Sequence, residues 1–507
     1  MTPVEMHLDF QAVAPVAGAG IGAMLVLVLE VFLARSRTFL GRPLTETYLS
    51  AVLAAAATLA LVFAIGTAGQ TFLAGDSVVF NPDHPMIRLD RFASFAIMLV
   101  GLGALFSVWL SIHYLVELRI NHGEYYALLL LATAGMMLMV SAVDLITIFL
   151  GLEILSIPIY VLAGFDRRKL DSNESALKYF LIGSFASALL LYGMALLYGT
   201  TGHTDLAGIR AGFDLANPLA VAGLGLVVVG FAFKISSVPF HQWTPDVYEG
   251  APTSVTAFMS VTVKAAAFVT LLRFITTGVQ TPPENLAPVL WVLAALTMVV
   301  GNVTAIVQDN VKRMLAYSSI AHAGYVLVGF VAGSPEGHAA VLFYLFAYLF
   351  MNLGAFGVMV ALADRGRDWD HIEDFAGLAR KRPGLAAMMT LFMVALAGIP
   401  GTVGFIAKFT IFAAAVQAGY VWLTVIAVLT SVVSVYYYLR VPVWMYMREP
   451  GDVVPRAGMD TSEGLVLLVC ALAVVFFGLF PNGGLGLPLL QDLAALDWVR
   501  DSAALLR

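Results

Sequence analysis

The sequence predicts an all-α polytopic membrane protein, and three observations predict it. Of its 507 residues, 60% are hydrophobic and only 12% charged, with a mean hydropathy of +0.89. A water-facing domain carries about 25% charged residues, so this composition cannot cover a solvated surface. The charges fall in short clusters, and the stretches between them are apolar for about 18–25 residues, the length a helix needs to cross a hydrocarbon core. Gly, Ala and Leu are spread evenly through those stretches, which suits close-packed helices rather than barrel strands that alternate polar and apolar.

Apolar runs place about fourteen spanning helices, near residues 13–34, 49–66, 92–113, 124–141, 144–164, 175–200, 217–239, 252–276, 286–306, 311–333, 338–363, 384–418, 420–446 and 463–481. The twelfth run is too long for one straight span and contains Gly398, Pro400, Gly401 and Gly404, so a helix broken in mid-membrane is expected there. The seventh ends in a comparable interruption, Ser236-Ser237-Val238-Pro239. Two broken helices in different halves point to inverted internal repeats of the transporter kind. The expected division is 1–120 (three N-terminal spans), 121–280 and 281–446 (the two repeats) and 447–507 (a last span and tail).

Lys and Arg orient this topology. Loops on one side collect 18 of the 27 basic residues, those on the other 6, and three lysines fall inside spans. The rich side includes Arg167, Arg168, Lys169, Arg380, Lys381 and Arg382. By the positive-inside rule both termini lie outside. The N-terminus opens with Glu5 and Asp9 rather than a basic region, and its apolar run ends at Arg35 without a small-residue cleavage site, so the first span is expected to be retained. The longest polar segment, about 364–383, reads as a solvated connector, with a subunit contact as the alternative.

Cys470 is the single cysteine, which excludes a disulfide framework, an iron–sulfur cluster or a Cys-based zinc site. There is no P-loop, no His-Glu-x-x-His motif and no dinucleotide fingerprint, and nothing indicates nucleic-acid binding. Glycine-rich stretches such as Gly18-Ala19-Gly20-Ile21-Gly22 lie inside spans and read as packing sites.

Five ionisable residues fall within apolar spans: Glu153, Lys234, Lys264, His322 and Lys408. An acid or lysine at mid-bilayer costs about 2.5–3.5 kcal/mol, so such residues are rare and usually functional. Glu153 lies about 14 Å and Lys264 about 18 Å into their spans at 1.5 Å per residue, too deep to snorkel readily. Lys234 is nearer a helix end, where snorkelling competes, and a hydrogen-bonded structural histidine is the alternative reading of His322. One carboxylate cannot neutralise three ammonium groups in a low-dielectric bundle, so some lysines must be hydrated or neutral for part of the time. A lysine that can lose its proton is a proton-transfer site. Glu153 beside a lysine would form a pair whose spacing sets both protonation states, as a switch requires. Lys234 and Lys408 each adjoin a chain break, where backbone is tolerated only against protein or a wet cavity. Ser236, Ser237, Thr256, Ser260, Thr262, Ser318 and Ser319 are candidates for a hydrogen-bonded path between them, although such hydroxyls more often pack helices.

At these residues the chain resembles the antiporter-like membrane subunits of respiratory complex I and of multi-subunit cation/proton antiporters. The resemblance covers about 120–445 and rests on Phe233-Lys234-Ile235-Ser236-Ser237-Val238-Pro239 continuing through Phe240-His241-Gln242-Trp243-Thr244-Pro245. It also rests on Gly151-Leu152-Glu153, on Val311-Lys312-Arg313-Met314-Leu315-Ala316-Tyr317-Ser318-Ser319-Ile320-Ala321-His322-Ala323-Gly324-Tyr325, and on Gly398-Ile399-Pro400-Gly401 through Lys408. Asp246-Val247-Tyr248-Glu249-Gly250 is similar to the N type rather than the L or M types, and Lys408 stands where M types carry glutamate. Gly401 departs from the family's usual second proline. The resemblance implies a subunit that translocates protons through Glu153, Lys234, Lys264, His322 and Lys408 within an NADH–quinone oxidoreductase. It implies no cofactor on this chain, with NAD, flavin, iron–sulfur clusters and quinone in partner subunits. Expected neighbours are M-, K- and J-type membrane subunits, the peripheral redox arm and lipid, in a bacterial inner membrane. A cation/proton antiporter subunit and a structural subunit of a hydrogenase-type assembly are the alternatives.

Overall fold

The computed structural model of the chain describes residues 8–36, 38–39, 42–43, 45–279, 286–364, 366–450, 459–482, 495–504 and 506. It opens with α1 (Ala14–Ser36), α2 (Glu46–Ala74), α3 (Arg91–Glu117), α4 (Gly123–Ser141), α5 (Leu145–Ala163) and α6 (Leu170–Thr201). Two short antiparallel pairs, Thr38–Phe39 with Arg42–Pro43 and Val78–Val79 with Arg88–Leu89, lie between the first three. A short α7 (Leu206–Gly212) leads to α8 (Pro218–Lys234) and α9 (Trp243–Gly250). The next helix runs as α10 (Thr253–Phe258), a π-helical turn (Met259–Val263), α11 (Lys264–Arg273) and a second π turn (Phe274–Gly278). Then come α12 (Leu286–Ile306), α13 (Val311–Ala332), α14 (Pro335–Leu362), the short α15 (Leu378–Lys381), α16 (Pro383–Ala397), α17 (Val403–Gln417), α18 (Val421–Met447), α19 (Thr461–Leu479) and α20 (Ala495–Ala504).

Among the described residues, twelve helices are long and apolar enough to cross a membrane. Three shorter apolar helices, α8, α16 and α17, occupy the seventh and twelfth apolar runs. Both interruptions therefore fall where the sequence places them, while length and apolarity alone support twelve spans rather than fourteen.

Polar residues fix the helix starts. Asp90, Asp144, Asn217, Asn310 and Ser334 each accept a backbone N–H from the first turn of α3, α5, α8, α13 and α14. The membrane-length segments sort into an inner and an outer set. The middle stretches of Thr253–Gly278 and Pro335–Leu362 are wholly buried in protein, as is most of Val311–Ala332, whereas α1, α2 and α18 turn large apolar side chains outward. Lipid is as apolar as leucine, so close approach rather than apolarity must join such helices. Small residues supply it: a Cβ on Gly151 of α5 would lie 2.7 Å from the Met139 nitrogen of α4, and one on Gly301 of α12 2.6 Å from the Ala321 nitrogen of α13. Gly151 belongs to the Gly-Leu-Glu stretch that carries Glu153.

Three features differ from the sequence expectation. Arg273, one of the 6 basic residues counted for one side's loops, and Lys312, one of the 18 for the other, are buried at helix ends. Arg273 donates to Asp90 at 2.6 Å and lies 4.8 Å from the centre of the Phe92 ring, and Lys312 donates to the Ala251 carbonyl at 2.7 Å. A long side chain at a helix end keeps the sequence signature of a loop charge while packing inward. The 364–383 connector is also not a loose solvated strand. Trp369, Ile372 and Phe375 are buried, and Asp368 accepts from Tyr114 at 2.8 Å and Thr253 at 2.9 Å. Burial pushes the Asp368 carboxyl up, but Lys312, Lys169 and these hydrogen bonds outweigh it and hold it below its ordinary range. Its stabilising contribution is thus present at neutral pH and lost only under acid conditions. Among the orienting basic residues, Arg37, Arg365, Arg456 and Arg507 lie outside the described residues.

The Arg273–Asp90 pair gives a stability test. Asp90→Ala removes the α3 cap and strands a buried guanidinium, an expected loss of about 3–5 kcal/mol. Adding Arg273→Met should restore most of it, leaving the cost of the cap, as read by thermal denaturation of the purified protein in detergent.

Candidate functional site

Lys234 is the last residue of α8 and 2% exposed. The helix cannot continue because Ser236 takes a left-handed backbone (φ 61°) and Pro239 follows. The break is bonded on both sides. Val238 N–H donates to Thr297 Oγ1 at 3.0 Å, Thr244 Oγ1 donates to Ser236 at 2.8 Å, and Trp243 Nε1 donates to the Phe233 carbonyl at 3.1 Å. Lys234 Nζ donates to Ser156 Oγ at 2.7 Å and lies 5.4–5.8 Å from the ring centres of Tyr160, Tyr179 and Phe233.

Glu153 is half-buried on α5, and its Oε1 has no hydrogen-bond partner among the described residues. Ser156, one turn further along α5, receives the lysine instead. The structure thus does not join Glu153 and Lys234 as an ion pair. Pro158 interrupts the hydrogen-bond ladder of α5 five residues after Glu153.

Lys264 directly follows the first π turn and is 3% exposed. Its Nζ donates to the carbonyl and hydroxyl of Ser319, at 3.0 and 2.5 Å, and lies 5.7 Å from the centre of the Tyr248 ring. Three residues along α13, His322 has Nδ1 2.7 Å from the Tyr344 hydroxyl and Nε2 3.0 Å from that of Tyr438. The Tyr438 hydroxyl also bonds Ser318. Three residues further, the face of Tyr325 lies 5.1 Å from Lys408 Nζ. Steps of three residues along α13, from Ser319 to His322 to Tyr325, bring Lys264, the imidazole and Lys408 into one succession of contacts.

Lys408 on α17 is 5% exposed and reaches back across the second break. Its Nζ donates to the carbonyl of Ala397, the last residue of α16, at 2.8 Å, and to Ser431 of α18 at 2.9 Å. Gly398 and Gly401 turn the chain with φ of 82° and 92°. Glycine at 401, rather than proline, therefore suits this break.

Sequence reasoning missed the residues that hold these charges: Ser156, Tyr344, Tyr438, Tyr325 and Ser431. Apolar-looking tyrosines inside spans give no signal until their partners are known. Of the expected hydroxyl path, Ser319 and Ser318 join the row. Thr256 and Thr262 donate to carbonyls of nearby backbone, and Ser260 accepts from Asn352 at 2.7 Å. Ser237 shares a hydrogen bond with Thr297. Rings rather than hydroxyls fill the space between Lys234 and Lys264: Tyr179 stacks on Trp243 at 4.3 Å, and Trp243 meets Tyr248 edge-on at 6.2 Å.

A many-span bundle with charges threaded through its interior beside two broken helices is the architecture of an ion-handling membrane subunit. Residues 142–434 match the family model described as NADH:quinone oxidoreductase/Mrp antiporter, transmembrane. The NADH-quinone oxidoreductase subunit N of Trichlorobacter lovleyi is 45% identical over 94% of this chain and 95% of its own length. Subunit N 1 of Sorangium cellulosum is 43% identical over 96% and 98%. A chain of the respiratory complex I of Thermus thermophilus solved with aureothin superposes with a TM-score of 0.78 at 34% identity, covering 95% of this chain and 99% of that one. A chain of the Mrp complex of a Dietzia species shares the fold alone, with a TM-score of 0.84 at 23% identity and coverage of 98% and 97%. The chain belongs to the NADH-quinone oxidoreductase subunit N family.

The second break yields a test of geometry. A Cβ at position 398 would lie 2.8 Å from Lys408 Cδ on a left-handed backbone, so Gly398→Ala should cost about 1–3 kcal/mol and displace the lysine from the Ala397 carbonyl. Gly384→Ala, where a Cβ would meet nothing within 4 Å, is the control, and both are compared by thermal denaturation.

Proposed function

We propose that this chain translocates protons as subunit N in the membrane arm of a respiratory NADH–quinone oxidoreductase, through a relay formed by Glu153, Lys234, Lys264, His322 and Lys408. The observation that carries the reading is the line of buried groups on α13: Lys264 on Ser319, His322 between two tyrosine hydroxyls, and Lys408 against Tyr325. Each member can give or accept a proton at a named atom, namely a lysine Nζ, an imidazole nitrogen or a hydroxyl that donates and accepts together. A buried oxygen of Glu153 has no hydrogen-bond partner among the described residues, which supports a hydrated path beside the side chains.

In this reading the chain itself carries no redox chemistry. NAD, flavin, iron–sulfur clusters and quinone belong to partner subunits, and M-, K- and J-type subunits, the redox arm and lipid are its neighbours. Residues 121–280 and 281–446 act as inverted repeats, each with one broken helix and its lysine. The chain sits in a bacterial inner membrane with both termini outside. An antiporter without redox coupling shares the fold, but the relatives at 43–45% identity over nearly the full chain favour the oxidoreductase assembly.

Glu153 and Lys234 act as the variable pair, apart in this structure and together in another state of turnover. Glu153→Gln keeps the shape and removes the attraction, leaving an unpaired cation in the closed state. The central test is Lys264→Arg, which keeps a cation that does not release its proton under these conditions. In the reconstituted complex we expect proton pumping to fall several-fold while quinone reduction falls less. A normal proton-to-electron ratio would mean that Lys264 need not deprotonate, and would refute the relay.

Orientation is tested separately. Cys470 is fully buried, so a cysteine placed at the exposed Glu373 can be labelled with little background. Impermeant reagents should modify Glu373→Cys in inside-out vesicles and not in intact cells, and the opposite pattern would invert the topology.

A further inference from the structure

At one end of the bundle, α1, the turn from α3 to α4, and the connection from α5 to α6 enclose a cleft of about 610 Å³. Its inner wall is apolar, formed by Leu27, Leu128, Leu131 and Val161. Leu128 and Leu131 lie five and eight residues inside α4, about 8 and 12 Å along the axis, so this wall runs into the membrane-spanning part. Its mouth is polar and lies at the helix ends, where Arg119, His122, Glu124, Arg167 and Arg168 line it.

The arginines there are not equivalent. Arg168 is held by Asp166 at 2.9 Å and by the Leu118 carbonyl at 2.6 Å. Arg119 and Arg167 are exposed, and among the described residues their side chains have no ion pair or hydrogen bond. Beside them, ligand atoms of Glu30, His122 and Glu124 gather within 4.8 Å of one another, and one Glu30 oxygen accepts from the Gly123 N–H at 2.6 Å. Two carboxylates held this close repel, and a cation between them relieves the repulsion. One mouth therefore offers unpaired guanidinium groups for an anion and facing carboxylates for a cation, above an apolar wall of helix depth.

We propose that this cleft binds one aminophospholipid, phosphatidylethanolamine in chemical class. Arg119 and Arg167 hold the phosphate, Glu30 and Glu124 accept from the primary ammonium, and an acyl chain lies against Leu128 and Leu131. The two-signed mouth selects the headgroup. A glycerol headgroup brings no cation to the carboxylates, a choline ammonium has no N–H to donate, and free phosphate has no acyl chain for the wall. A protein segment from a neighbouring subunit is the competing occupant.

The test uses the assembled complex, delipidated mildly and returned to nanodiscs of phosphatidylethanolamine, phosphatidylglycerol or phosphatidylcholine, with retained lipid counted by native mass spectrometry. Wild type should retain phosphatidylethanolamine selectively. The Arg119→Gln/Arg167→Gln double variant and Glu124→Gln should each show a stoichiometric loss of it, with NADH oxidation unchanged. A photoactivatable phosphatidylethanolamine should label the peptide containing Leu128 and Leu131 in wild type and not in the variants. Equal retention in all variants overturns the proposal. So does phosphatidylglycerol retention that depends on the arginines but not on Glu124, or crosslinking of a neighbouring subunit to this peptide in place of lipid.

Discussion

The orphaned carbonyls of a broken helix are the feature on which this architecture turns. An α-helix leaves its last four C=O groups without intrahelical partners, and at membrane depth no bulk water is there to satisfy them. At the second break the gap is filled by lysine, and at the first Trp243 donates to the Phe233 carbonyl. Lys408 donates to the final carbonyl of α16 from across the break, and Lys234 occupies the last turn of α8, where the helix dipole favours a cation. At the second break the half-helix end needs a donor and the buried ammonium needs an acceptor, so break and charge satisfy one another, and removing either leaves the other exposed in a low-dielectric interior. At the first break the two are satisfied separately, the carbonyl by Trp243 and the ammonium by Ser156.

Lys264 achieves the same end without a break. The π turn at Met259–Val263 inserts a residue into the turn just before it, altering where that side chain leaves the helix. Lys264 then meets Ser319 at the start of the α13 stretch that goes on to present His322 and Tyr325. α13 can serve as this spine because it is almost entirely sheathed by protein, and the close crossing at Gly301 fixes it against α12. In such a setting each hydroxyl and ring has one set of neighbours, and the hydrogen-bonding geometry is determined by packing rather than by solvent.

Much of this was legible in the residues. The two breaks follow from Pro and Gly inside apolar runs, and the five interior ionisable residues stand out against sequence too apolar to solvate them. What was illegible has a common cause. A π turn needs no Gly or Pro, so Met259–Val263 reads as ordinary helix. Tyr344 and Tyr438 count as hydrophobic until a histidine is found between them. Arg273 and Lys312 look like loop charges because snorkelling geometry depends on what the neighbouring helices offer. Glu153 and Lys234 were joined on charge alone, whereas Ser156, one turn along the same helix, is the atom the lysine meets. Each case turns on a tertiary partner, which periodicity along one chain does not encode.

The choice of partners separates two kinds of charge in this protein. The arginines near helix ends are matched with carboxylates: Arg273 with Asp90, and Arg313 with Asp246 and Glu249. The interior lysines are matched with neutral groups, namely the serine hydroxyls at 156, 319 and 431, the carbonyls of Ser319 and Ala397, and the faces of aromatic rings. A carboxylate about 4 Å away would favour the protonated lysine by about 4 kcal/mol at an effective dielectric of 20, roughly a thousandfold, and deprotonation would strand a buried anion. A hydroxyl accepts from an ammonium and can donate to the neutral amine by rotating, so loss of the proton leaves no uncompensated charge. Neutral solvation therefore brings the two protonation states of each lysine closer in free energy, the property that proton transfer along the row demands and that a purely structural ion pair would defeat. Glu153, the carboxylate of the proposed relay, then has a distinct place in it: its approach to Lys234 or withdrawal from it is the step that can tip an otherwise balanced lysine.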